Sequence, residues 1–214
     1  MEITHLGHSA FKLRGKNATL ITDPFDPIMV GVKFPKVEAA IVTVSHGHHD
    51  HNFTSVVGGS PLIISGPGEY EVKGVEIVGV PTYHDEVKGE KRGKNTVYRI
   101  EMDGVSFVHC GDLGHKFDEK EIELLNGVDV LFIPVGGYFT IDSTTAAGVV
   151  TQLEPRIIIP MHYLTKNMSQ DQFGQLAGVD KYLSEIGKSE IVPAPKLVVT
   201  SSKLPAEQTV VVLE

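Results

Sequence analysis

The chain has 214 residues, 41% hydrophobic and 21% charged, the balance of an ordinary folded globular protein long enough to bury a sizeable core. A formal net charge of −8 argues against a nucleic-acid backbone as the main partner, because such partners call for basic faces. With one cysteine, Cys110, no intrachain disulfide can form, and no apolar run approaches the roughly 18 residues of a membrane span.

The chain enters strand-like sequence at once, with no basic segment followed by an apolar one. Cytoplasmic residence without a membrane partner is therefore expected. Residues 2–23 read as three short strands, with Gly15-Lys16-Asn17 as a turn and Thr19-Leu20-Ile21-Thr22 as a β-prone run. Asp23-Pro24 and Asp26-Pro27 break regular structure. An irregular loop is expected over 28–38 and one strand from Val37 to Val44. A short helix should follow from Asn52 to Val57, closed by Gly58-Gly59.

Between that strand and that helix stands Ser45-His46-Gly47-His48-His49-Asp50-His51, which reads His-x-His-x-Asp-His. Two imidazoles one residue apart in an extended segment share a side, and Gly47 between them lets the backbone turn tightly. Asp50 and His51 then aim elsewhere, so one segment can serve two cations. Neutral imidazole and carboxylate suit zinc, manganese or iron.

Hairpins are expected around Lys73-Gly74 and Asp103-Gly104. The apolar runs before His84, Asp112 and His162 read as strands, so these side chains, like His46, fall just past strand ends. Residues 88–94, Lys-Gly-Glu-Lys-Arg-Gly-Lys, are either a solvated hairpin tip or an anion clamp in which Arg92 is the best bidentate donor. His109 and Cys110 read as packing residues, and His115 as a loop residue that either reaches substrate or faces solvent. In the second half, Asp118-x-x-Glu121 reads as a capping box with Phe117 stapled on Ile122, and Gly127 ends that helix. Asp142 or Ser143 caps a helix buried through Ala146, Val149, Val150 and Leu153. Ser169-x-x-Gln172 reads as a second capping box, with Met168 and Phe173 as its staple, and Val198-Val199 and Thr209–Val212 close the chain as strands.

His46, His48, Asp50 and His51 carry the signature of the metallo-β-lactamase superfamily. The chain resembles its small cytoplasmic hydrolases, which include ascorbate-phosphate lactonase, also in His5-Leu6-Gly7-His8-Ser9-Ala10-Phe11 and Thr22-Asp23-Pro24. The resemblance implies one αββα sandwich over residues 1–214, of mixed α/β (α+β) class, with two mixed sheets inside and helices outside. It implies His46, His48 and His84 on one metal, Asp50, His51 and His162 on the other, and Asp112 bridging. Two divalent ions, zinc first with manganese or iron as alternatives, would share a water activated as nucleophile, with Asp50 also able to orient it. Asp23 then supports a metal-binding histidine from behind, or else is a turn residue before proline; His8 either faces the site or is structural. A small-molecule ester, lactone or phosphoester, anionic if the basic loop serves it, is the expected substrate. A di-iron redox protein and a metal-bound sensor or scaffold without turnover are the competing readings.

Overall fold

The computed structural model describes residues 1–188 and 191–214. In chain order, β1 (Glu2–Gly7), β2 (Ala10–Arg14) and β3 (Thr19–Thr22) lead to a one-turn helix, α1 (Pro27–Val30). Then come β4 (Val37–Glu38), β5 (Ile41–Val44), β6 (Val57–Gly58), β7 (Leu62–Ser65), β8 (Gly68–Val72), β9 (Val75–Tyr83), β10 (Lys94–Met102) and β11 (Val105–His109). Helices α2 (Glu119–Leu125) and α3 (Ser143–Leu153) alternate with β12 (Val130–Pro134) and β13 (Ile157–Met161). Helices α4 (Gln170–Phe173) and α5 (Val179–Glu185) precede the last strands, β14 (Leu197–Val198) and β15 (Thr209–Val210).

Two mixed sheets result. One runs β14-β1-β2-β3-β5-β7 and the other β15-β13-β12-β11-β10-β9-β8. Their facing sides make one core: Phe11, Leu13, Leu20 and Ile41 from the first sheet meet Ile77, Ile100, Phe107 and Phe132 from the second. Helices α2, α3 and α5 cover the second sheet with Leu125, Val149 and Tyr182 in that same cluster. The outer side of the first sheet, through Ala10, Ile21 and Val42, packs on Phe25, Val30 and Phe173 around α1 and α4. Neighbours such as Leu20 and Ile21 therefore bury opposite faces, which is why β3 and β5 show no regular apolar–polar alternation. This is the αββα layering that the resemblance implies.

Both predicted hairpins form, with Lys73 (φ 54°), Gly74 (φ 75°), Asp103 (φ 54°) and Gly104 (φ 73°) all in the left-handed region that tight hairpins require. Asp118 caps α2 in a full capping box, and Asp142 caps α3 by accepting from the Thr145 N–H. Elsewhere the expectations need correction. The strand expected over Val37–Val44 is two: Val37–Glu38 pairs with β6 in a small separate sheet, while Ala40 N–H bonds Thr19 O and directs the chain into β5. The helix expected over Asn52–Val57 is one 3₁₀ turn, Thr54–Val56. Residues 28–38 are not wholly irregular, since Asp26 caps α1 and Gly31 (φ 80°) ends it. Ser169 does start α4, but its side chain makes no cap bond; α4 is held instead by Met168 and Phe173, buried in one cluster.

The topology alone brings the strand ends together. β9 and β11 both run antiparallel to β10, and β11, β12 and β13 are parallel, so the C-terminal ends of β9, β11 and β13 share one edge of the second sheet. At that edge Thr96 N–H bonds Ser45 O, and the Tyr98 hydroxyl donates to Val44 O at 3.0 Å, tying on the end of β5.

Candidate metal centre

His46, His84, Asp112 and His162 therefore meet because each follows a strand ending at this seam. Gly111, between β11 and Asp112, has φ 54°, and a Cβ there would lie 2.5 Å from both Ser45 Cβ and Asn95 Oδ1. Only glycine allows so close a passage. Asp112 N–H then bonds Asn95 Oδ1 (3.0 Å), while Asn95 Nδ2 donates to Thr82 Oγ1 and Cys110 O (both 2.9 Å).

Asp112 faces two clusters with its two oxygens. Oδ2 lies 3.0 Å from His84 Nε2 and 3.7 Å from His46 Nε2. Oδ1 lies 3.1 Å from His51 Nε2 and 3.3 Å from His162 Nε2. His48 Nδ1 joins the first cluster, 2.9 Å from His46 Nε2. Asp50 joins the second, its Oδ2 3.7 Å from His51 Nε2. One donor atom from each of His46, His48 and His84 falls within 4.8 Å of the others, and the same holds for His8, Asp50, His51 and His162.

Asp23, fully buried with φ 38°, works behind both clusters. Its Oδ2 lies 2.8 Å from His51 Nδ1, so this nitrogen carries the proton and Nε2 is left facing Asp112. The same oxygen accepts from Ser45 Oγ–H (2.6 Å), and that Oγ lies 3.0 Å from His46 Nδ1. A hydroxyl that has given its proton to Asp23 can only accept from His46, which fixes His46 Nε2 as the free electron pair. His109, beside Asp23, is a packing residue: Nε2 lies 2.8 Å from Ser9 O and Nδ1 accepts from Gly111 N–H.

His8 stands closer to the centre than its sequence context suggests. Its Nε2 is 3.2 Å from Asp50 Oδ2, its ring centroid is 4.1 Å from that of His162, and its carbonyl accepts from His162 N–H at 3.2 Å. His8 (φ 54°) and His162 (φ 52°) both hold the left-handed backbone that costs non-glycine residues energy.

Burial disfavours charge on His51, but the carboxylates of Asp112 and Asp50, with Asp23 hydrogen-bonded behind the ring, raise its pKa well above the ordinary value. Burial likewise opposes the Asp112 carboxylate, yet His162, His51 and His84 drive its pKa far down. Burial, with His51 nearby, depresses His46 to about 3 and keeps it neutral. The carboxylates thus favour positive charge beside Asp112, while burial holds His46 neutral. His51 Nε2, Asp112 Oδ1 and His162 Nε2 are buried without hydrogen-bond partners and point toward one another. Such atoms are costly unless something binds them, and a nitrogen–oxygen set of this kind fits a divalent cation.

A cleft of about 460 Å³ opens on these residues, walled by His48, Asp50, His84 and Asp112 and by Met29, Phe139 and Phe173. Arg92 and Lys91 line it as well. His115 does not: its Nε2 accepts from Tyr83 N–H and its Nδ1 lies 2.8 Å from Lys116 O, pinning the end of β9. Asn95 and Asp85, which position the loops, escaped sequence reasoning. An Asn inside a β-branched strand was the only hint of the first.

A model of the β-lactamase superfamily domain matches residues 2–162. The chain belongs to the β-lactamase superfamily. A UPF0173 metal-dependent hydrolase of Thermococcus onnurineus is 33% identical over 198 residues, which cover 77% of this chain and 85% of that one. A Thermotoga maritima structure from the metallo-β-lactamase superfamily is 38% identical with a TM-score of 0.81, covering 99% of this chain and 97% of that one. The Streptomyces venezuelae diiron β-hydroxylase CmlA is similar in fold alone, with a TM-score of 0.62 at 12% identity over 93% of this chain and 54% of that one. Within the superfamily this chain is a metal-dependent hydrolase. No helix among the described residues is long and apolar enough to cross a membrane.

Proposed function

We propose that residues 1–214 act as one unit that hydrolyses a small ester, lactone or phosphoester, with lactone cleavage slightly favoured over phosphodiester cleavage. The metals would be held by His46, His48 and His84 on one side and by Asp50, His51 and His162 on the other, with Asp112 between them. The observation that carries this reading is Asp112 itself, whose Oδ1 and Oδ2 each face a different histidine cluster. Two divalent cations there, zinc before manganese or iron, would supply a water ionised near neutral pH and polarise the attacked oxygen. The chain's own contribution is to fix the tautomers of His46 and His51 through Asp23 and Ser45. Asp50, held by His8, is placed to orient a nucleophile and to take its proton. Met29, Phe139 and Phe173 exclude water from one wall of the cleft. No side-chain nucleophile is required, since Cys110 is buried and its thiol pushed up beyond the ordinary range by burial.

The Thermotoga maritima protein, described as a candidate Zn-dependent hydrolase, supports zinc as the first metal to test. CmlA, with a related fold, is described as a diiron hydroxylase, which keeps a redox reading as the alternative. A non-catalytic sensor or scaffold is the third reading, which tight protein binding without turnover would favour. His48 favours hydrolysis, because the superfamily's oxygen-reducing members usually carry a carboxylate there. Metal analysis of protein purified without added metal, joined to a screen of lactones and phosphodiesters, tests the proposal. Two equivalents of zinc or manganese with turnover are expected. Iron with visible absorbance and oxygen consumption, and no hydrolysis, would reject it.

A further inference from the structure

On the hydrolase reading above, we infer that the substrate is two-headed: the scissile group meets the metal ligands, and a separate carboxylate or phosphate meets Arg92. The sequence left the 88–94 segment open between a solvated tip and a clamp. Its folding favours the clamp. Asp85 is buried, and its carboxylate accepts from four backbone N–H groups: Val87 (2.9 Å) and Gly89 (2.8 Å) on Oδ1, Lys91 (3.0 Å) and Arg92 (2.7 Å) on Oδ2. Those bonds wrap the loop around one anchor and fix where Lys91 and Arg92 leave the backbone.

Arg92 is only partly exposed. Its guanidinium carbon lies 5.4 Å from the Phe139 ring centre and 5.9 Å from that of Tyr138. Nη1 donates to Phe139 O at 3.4 Å, a long bond that uses little of a five-donor group. Among the described residues no carboxylate lies within 4.0 Å of the guanidinium. A planar cation that is stacked, held at its root and left with unspent donors is suited to a bidentate oxyanion.

Charge placement says on which side that oxyanion sits. Arg92, with His84, Lys91 and Phe139, lines both the metal cleft and a second pocket of about 300 Å³. The second pocket shares Lys91 and Arg92 with the cleft but adds the carboxylates of Glu86 and Asp142, which oppose an anion on that side. The carboxylates in the metal cleft are Asp50 and Asp112, both proposed metal ligands, so bound cations would offset them. Phe139, Phe173 and Met29 line the same cleft and suit a short apolar linker. With a net charge of −8 the protein as a whole does not draw anions in, so recognition must be local.

The test compares 4-nitrophenyl butyrate with mono-4-nitrophenyl glutarate, which share a scissile bond and differ in one carboxylate. In wild type kcat/KM should be about tenfold or more higher for the anionic ester. Arg92→Ala should raise its KM about 10- to 100-fold, far more than that of the neutral ester. Arg92→Lys should keep part of the preference, and Lys94→Ala, outside the cleft lining, should leave it intact. Equal losses on both esters would overturn the inference and leave the hydrolase reading standing. A second readout needs no turnover: glutarate and 3-phosphonopropionate should each raise the melting temperature of the metal-loaded protein more than butyrate does. The larger excess identifies the anion preferred, and Arg92→Ala should abolish it. No excess with either compound, or one that survives Arg92→Ala, overturns the subsite even if neither ester is cleaved.

Discussion

Two loops line the same cleft and are built on opposite plans. In the loop after β5, the side chains of His46, Asp50 and His51 turn inward on one another and on Asp23, and their identities define the chemistry. In the loop after β9, beyond His84 at its start, the inward side chain of Asp85 is spent on four backbone N–H groups, while Lys91 and Arg92 reach the cleft from its outside. The first loop states its function in residue types at fixed spacing. The second states its function in backbone shape, and its Lys/Arg/Gly composition would suit a solvated tip equally well. Reaction type is therefore the more legible property of this protein, and substrate choice the less legible one.

That contrast can be broken from either side. Replacing Asp112 with Ala removes the group facing both clusters. Hydrolysis should fall by about a thousandfold or more, with the second metal lost, as it should in His162→Ala. Unchanged metal content and turnover in both variants would end the two-cluster reading. Asp23→Asn should weaken metal binding about 10- to 100-fold at both clusters, since Asp23 orients His51 directly and His46 through Ser45. His8→Phe sharpens this, because it keeps a ring against His162 but loses the bond to Asp50; only the second cluster should weaken. Titration with a metallochromic competitor reads both, and an equal loss at both clusters in His8→Phe would contradict the geometry.

The smallest effect expected belongs to the second loop. Burial opposes the Asp85 carboxylate, but donation from the N–H groups of Arg92, Gly89, Lys91 and Val87 lowers its pKa to about 2. A depressed carboxyl contributes stability above its unfolded value near 3.9 and loses it as pH falls toward the folded value. Amide exchange in residues 87–92 should therefore accelerate between about pH 4 and pH 2, and Asp85→Asn should flatten that dependence. Exchange insensitive to pH across this window in wild type would show that the anchor is elsewhere.

Much of this molecule was readable before any coordinates. The His-x-His-x-Asp-His run, the apolar strands before His84, Asp112 and His162, the two hairpins and the caps of α2 and α3 all rest on local chemistry, which sequence records directly. What escaped depends on contacts distant along the chain. Val37–Glu38 separates from β5 because β6 offers it another partner, a choice set by tertiary pairing. Helix α5 has no side-chain cap, since Gly178 stands at its N-cap, and is kept by burying Tyr182 and Leu183. Strand β7 leaves Leu62 and Ile63 exposed and shows no alternation to read. Asn95 and Asp85 act on the backbone of other segments, and no spacing rule announces that.

Tyr98 shows where this division leads. Its hydroxyl, on β10 of one sheet, donates toward Val44 O at the end of β5 in the other and accepts from Gly66 N–H just past β7. Sliding of one layer past the other is thereby blocked at the rim where the histidines meet. The gap between the two imidazole groups is then a dimension of the scaffold, like the span of a hinge pin. Swapping residues 85–93 or 137–142 for other lengths and compositions should redirect what enters the cleft without changing that gauge. The protein is in this sense a fixed tool with an exchangeable jig, and redesign for a new compound can begin at the jig.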